Sequence, residues 1–142
     1  MFSKEESRLL RQGFWTSFGK SFPRKWLLYN TKMKGVSFKF HFDNKSALIA
    51  LDIEDHLENR INCWEKLVAL KNILHSEYLL NAIYKEEYYL ENGKEISRIY
   101  LPLEQKVSIH NKNTWRDTME FFNKKMNLFE AFFEEYRDLI IP

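Results

Sequence analysis

The chain has 142 residues, 44% of them hydrophobic and 16% aromatic. That length suits one domain with a sizeable core, and that composition excludes a disordered chain. The net charge is only +2, but residues 1–50 hold ten Lys/Arg against three Asp/Glu, and residues 51–142 hold twelve against seventeen.

A basic half can attract nucleic acid or an acidic partner. The plainer reading is that the two halves interleave and neutralise each other. Four Gly and three Pro argue against a many-turned all-β protein. Cys63 is the single cysteine, so no disulfide forms within the chain, which suits a reducing compartment. Residues 1–10, MFSKEESRLL, carry charge where a signal peptide needs an apolar run. No run approaches the roughly 20 apolar residues of a membrane span. The expectation is a cytoplasmic protein with no membrane partner.

Residues 3–22 read as a helix. Ser3 and Glu6 have capping-box spacing, and Leu10, Phe14, Phe18 and Phe22 recur every four residues beside Trp15. Pro23 closes the pattern. Residues 26–31, WLLYNT, read as a first short strand. In residues 36–43, Phe38, Phe40 and Phe42 alternate with Ser37, Lys39 and His41, the mark of a strand with one buried face. Residues 46–54 return antiparallel after the Asp43-Asn44-Lys45 turn, with Ala47, Ile49, Leu51 and Ile53 on one face.

Residues 55–75 read as a second helix with an inner line of Leu57, Ile61, Trp64 and Val68, and with Leu67, Leu70 and Leu74 beside it. Residues 83–90 and 96–101 form a second hairpin around Asn92-Gly93, because both of those residues accept positive φ. Pro102 ends it. Residues 114–139 form the longest helix, which organises the rest. Trp115, Met119, Phe122, Met126, Phe129, Phe133, Tyr136 and Ile140 make one stripe, and Phe121, Leu128 and Phe132 widen it. Thr114 or Asn113 can cap its start.

The predicted order is α-β-β-α-β-β-α. Strands grouped as hairpins imply a single α+β domain, an antiparallel sheet of four to five strands packed on three main helices. The segments FWTSFGKSF, KWLLYNTKMKGVSFKFHF, ALIALDIEDHLEN, WEKLVALKNIL, SRIYLPL and TWRDTMEFFNKKMNLFEAFF together resemble a bacterial family catalogued as domain of unknown function 4268. The resemblance covers nearly the whole chain and implies the same fold. It implies no activity and no catalytic residue. Some members carry the domain at the C-terminal end of longer, nuclease-like proteins.

Three constellations offer chemistry. Asp52, Glu54, Asp55 and His56 form an acidic cluster, and Asp52 and Glu54 share a strand face and can hold a divalent cation. The plainer reading makes Asp55 a helix N-cap, and no metal is expected. Glu104-Gln105-Lys106 follows a strand, where metal nucleases place an acidic-x-Lys triplet. It needs an upstream carboxylate, which only Asp52 or Glu87 can be. Arg24, Lys25, Lys32, Lys34 and Lys39 can contact phosphates, with Trp26 or Tyr29 stacking a base.

The four histidines and Cys63 show no ligand or triad spacing, and no phosphate loop or nucleophile elbow occurs. The expected function is a small non-enzymatic interaction module without cofactors. It would act by protein–protein association, with a protein partner or as a homodimer, through Phe121, Leu128 and Phe132. Nucleic-acid binding through the basic first half is the alternative, with a metal-dependent nuclease behind it.

Overall fold

A computed structural model describes residues 2–141. Helix α1, Lys4–Ser21, begins at the expected box: Ser3 Oγ accepts from the Glu6 amide at 3.1 Å, and Glu6 Oε1 accepts from the Ser3 amide at 3.2 Å. Strands β1, Val36–Phe42, and β2, Ala47–Ile53, form the first hairpin. Helix α2, Leu57–Ala69, is followed by a short α3, Lys71–Ile73, and a π-helical turn, Leu74–Tyr78. Strands β3, Ile83–Tyr89, and β4, Glu95–Pro102, form the second hairpin. Helix α4, Trp115–Glu135, and a final turn α5, Arg137–Ile140, close the chain. The fold is α+β in the expected order, with an antiparallel sheet of four strands, β1-β2-β4-β3.

Alternation along the strands sorts the sheet into two faces. Phe38, Phe42, Ile49, Leu51, Ile53, Ile99 and Leu101 lie on the inner face and are buried against the helices. Phe14 and Phe18 of α1 and Phe122, Met126, Phe129 and Phe133 of α4 fill the space above them. Phe38 meets the edges of Phe129 and Phe133 at 5.3 and 5.4 Å. Among the described residues no helix is long and apolar enough to cross a membrane.

Four local expectations are corrected. Residues 26–31 form turns, not a strand: Leu28 and Lys32 take positive φ, 47° and 64°, which no strand allows. The second helix breaks at Leu70 and then widens into the π turn, which sets both Leu74 and Leu79 inside the core. Its inner line is also rotated. Arg60, Cys63, Trp64 and Leu67 face inward, while Leu57, Ile61 and Val68 are exposed. Two apolar stripes lie side by side on this helix. The inward one wins because it runs on into Leu70 and Leu74. Thr114 does not cap α4. It sits in a 3-10 turn, Lys112–Thr114, and its hydroxyl donates to the Asn111 and Ser108 carbonyls.

Candidate functional site

The helices leave one face of the sheet to solvent. Register places Ser37, Lys39 and His41 of β1 beside Asp52, Ala50 and Leu48 of β2. The same row continues into Arg98 and Tyr100 of β4 and Lys85 of β3. This face is built around a buried charge. Asp52 is fully buried, and both of its oxygens accept from Arg98, at 2.6 Å from Nε and 2.8 Å from Nη2. Lys39 Nζ lies 3.1 Å from Asp52 and 3.2 Å from Glu54, and Lys94 Nζ lies 3.4 Å from Glu54.

A two-pronged Arg–carboxylate pair of this kind fixes geometry as well as charge. Burial works to lower the Lys39 ammonium, but Asp52 and Glu54 outweigh it and hold its pKa above the ordinary value. Burial works to raise Glu54, and Lys39 and Lys94 outweigh that and hold its carboxyl low. Tyr88 covers Arg98, with the guanidinium carbon 4.4 Å from the ring centre. Its ring meets that of Tyr100 at 5.7 Å.

The loop of residues 23–35 forms a rim beside β1. It is tied down at several points. Glu130 of α4, itself buried, accepts from Arg24 Nη2 at 2.7 Å and from the Leu27 amide at 2.8 Å. Arg137 donates to the Thr31 carbonyl, and the Leu28 carbonyl accepts from the Phe38 amide of β1. Trp26 is folded inward, stacked on Phe18 and edge-on to Phe40. Tyr29 is turned outward and is 76% exposed. Tyr29 and Lys34 line one groove with Gly35, Ser37, Glu54 and Lys94. A leucine and a lysine in the left-handed region are costly, and such strain persists only where surrounding contacts over-determine it.

The expected site residues fall as follows. Asp52 and Glu54 do share the outer face, but lysines and Arg98 engage them. Asp55 receives the His56 amide rather than capping α2. Asp52 and Glu104 lie at opposite ends of the sheet. Asp52 pairs with Arg98, whereas Leu48 pairs with Pro102 and Leu103 bonds to Ala47, leaving Glu104 about six residues, roughly 20 Å, along the strand. Glu104 and Lys106 stand exposed beyond β4, and Glu87 is exposed beside the irregularity in β3. Among the described residues no three His, Cys, Asp or Glu side chains are grouped to hold a metal ion.

Arg24 is spent on Glu130, and Lys39 on Asp52 and Glu54, so neither is free for a phosphate. Lys25, Lys32 and Lys34 are exposed. Phe132 is fully buried against Tyr78 and Tyr136, because the π turn covers that side of α4; it belongs to the core and not to an interface. Phe121 and Leu128 are half-buried and packed on the core. Cys63 is buried, and burial pushes its thiol up to about 11.

Residue types alone did not single out Arg98 or Glu130. Arg98 had one available signal: in ISRIYL it alternates with apolar residues on a central strand, and such an arginine needs a carboxylate across the ladder. No curated protein and no solved structure matches the chain. A family match does extend over residues 10–137, and with it the chain belongs to the family described as Domain of unknown function (DUF4268).

Proposed function

We propose that this is a non-enzymatic binding module, and that it lays a single-stranded nucleic acid across the rim loop and the outer sheet face. The observation that carries this reading is Tyr29. An aromatic ring 76% exposed, on a loop held in place from α4 and β1, is a poor surface residue and a good stacking platform. Lys25, Lys32 and Lys34 stand on the same loop, where they can track a phosphate backbone. Tyr88 and Tyr100 continue the aromatic surface over the sheet. Single strands suit this surface better than duplex, since stacking needs bases that are already unpaired. The buried Cys63 thiol supports a reducing compartment such as the cytoplasm.

Fluorescence anisotropy with short mixed oligonucleotides at several salt concentrations tests the reading. Affinity should fall as salt rises. Reversing Lys25, Lys32 and Lys34 to Glu should flatten the log–log slope by about 0.7 for each phosphate no longer neutralised. Tyr29→Ala should cost about 1–3 kcal/mol of binding with the fold unchanged, since the ring touches little of the core. Arg24 is left out of the reversal because its loss would strand the buried Glu130. Binding that ignores salt and all four substitutions would sink the proposal.

A second reading, association with another protein or a second copy of the chain, has its own observation. On α2, Leu57 is 60% exposed, Ile61 38% and Val68 44%, on one side of the helix. Exposed apolar side chains grouped on one side of a helix are a feature of interfaces. Under this reading the wild type sediments as an oligomer, and Ile61→Lys with Val68→Lys gives a folded monomer. A wild type that stays monomeric at high concentration removes the homodimer.

A further inference from the structure

The outer sheet face carries a cleft that meets the proposed strand surface at Tyr88 and is otherwise lined by residues that strand binding does not use. It holds about 450 Å³, within the range of small-molecule sites, and Leu48, Arg98, His41, Ser46, Tyr88 and Leu90 line it. The floor is the sheet, and residues 88–91 of the β3–β4 hairpin form one wall. We propose that this cleft binds a small organic oxyanion, a carboxylate or a phosphate monoester, with the oxyanion on Arg98 and a flat or apolar body against Leu48 and Leu90.

Arg98 is only 8% exposed. Its Nε and Nη2 are committed to Asp52, and Nη1 meets no acceptor among the described residues. Tyr88 caps its flat face, and Arg98 lines the cleft. A guanidinium edge presents parallel donors at the spacing of a carboxylate or phosphate.

The surrounding charge agrees. The linked cluster holds three cations, Lys39, Lys94 and Arg98, against two carboxylates, Asp52 and Glu54. The cluster therefore carries one net positive charge beside a largely desolvated arginine, and an anion in the cleft would balance it. The two other carboxylates at the cleft do not fill that role. Asp43 is occupied by His41 at 2.8 Å and by the Lys45 and Ser46 amides, and Glu91 stands exposed at the mouth. The Ser46 hydroxyl makes no hydrogen bond among the described residues and can donate to the same guest. The size of the cleft separates this site from the strand surface, since it holds one group and not a chain.

Amide and arginine side-chain NMR spectra, recorded while titrating the full chain with acetate, benzoate, inorganic phosphate and uridine monophosphate, test the proposal. Saturable shifts are expected at Ser46, at residues 88–91 and at the Arg98 side chain. Benzoate and the nucleotide should bind tighter than acetate and phosphate, and whether the two carboxylates or the two phosphates bind tighter identifies the natural group. Arg98→Lys keeps the charge and loses the fork, so binding should weaken at least tenfold. Because that substitution also touches Asp52, Leu48→Glu serves as the second variant: it leaves the ion pair alone, sets a carboxylate in the cleft and should abolish binding. Absence of saturable shifts with all four probes overturns the site, as does unchanged binding in folded Leu48→Glu. Oligonucleotide affinity measured on the same two variants reports separately on the strand surface.

Discussion

Phe122→Ala is expected to destabilise the protein by about 3–5 kcal/mol, the range for removing a buried aromatic side chain that its neighbours cannot replace. Phe122 is fully buried at the meeting point of α1, α4 and β1. Its ring lies 4.9 Å from Phe40, 5.7 Å from Phe18, 5.8 Å from Trp15 and 6.1 Å from Phe14. Removing it opens a cavity that three elements line, and rigid secondary structure cannot collapse into such a space. Trp115 leads the same helix but is only half-buried, with its indole N–H donating to the Ile109 carbonyl at 2.9 Å, so its loss should cost less. Urea unfolding followed by circular dichroism measures both. The midpoint should fall for Phe122→Ala with the slope unchanged, because the surface exposed on unfolding stays nearly the same. A midpoint equal to that of the wild type would show that α4 does not organise the core.

Elements whose apolar pattern has one solution were legible in the sequence. The Phe38-Phe40-Phe42 alternation set the face of β1 correctly, and the capping box placed the start of α1. Patterns with two solutions were not. On α2 the stripes through Ile61 and through Leu67 both have helical spacing, and only tertiary packing chose between them. The rim loop defeated the strand reading because its conformation is imposed from outside, by Glu130 and Arg137 more than 100 residues away. The candidate site was half visible. Asp52 and Glu54 were singled out as a pair on one face, and the lysines were noted. What turns those carboxylates from cation ligands into the anchor of a basic cluster is Arg98, and its pairing across the ladder depends on sheet order, which local pattern does not encode.

Asp52→Ala should be nearly as damaging as the loss of Phe122, at about 3–5 kcal/mol, for an electrostatic reason. The substitution leaves Arg98 largely buried with no counter-charge at its Nε and Nη2, and stranding one partner of a buried pair exposes the full cost of its desolvation. The pair itself need not be strongly stabilising. Replacing both partners, Asp52→Leu with Arg98→Met, should recover most of the loss, since well-packed apolar groups can match a buried ion pair. The coupling from that double-mutant cycle measures the interaction directly. Lys39 adds a pH signature. Its pKa is raised in the folded state, so its contribution is complete below the ordinary lysine range, about 10.4, and is lost as pH rises through the folded value. In Asp52→Ala that alkaline loss should shrink, leaving the share that Glu54 supplies. Glu54 has the opposite sign: its carboxyl is held low, so its contribution is present above the ordinary glutamate range and disappears as pH falls through the folded value. The gap between the urea midpoints of wild type and Asp52→Ala should therefore narrow across the alkaline range as Lys39 deprotonates. Midpoints that stay parallel there would assign the whole effect to Arg98.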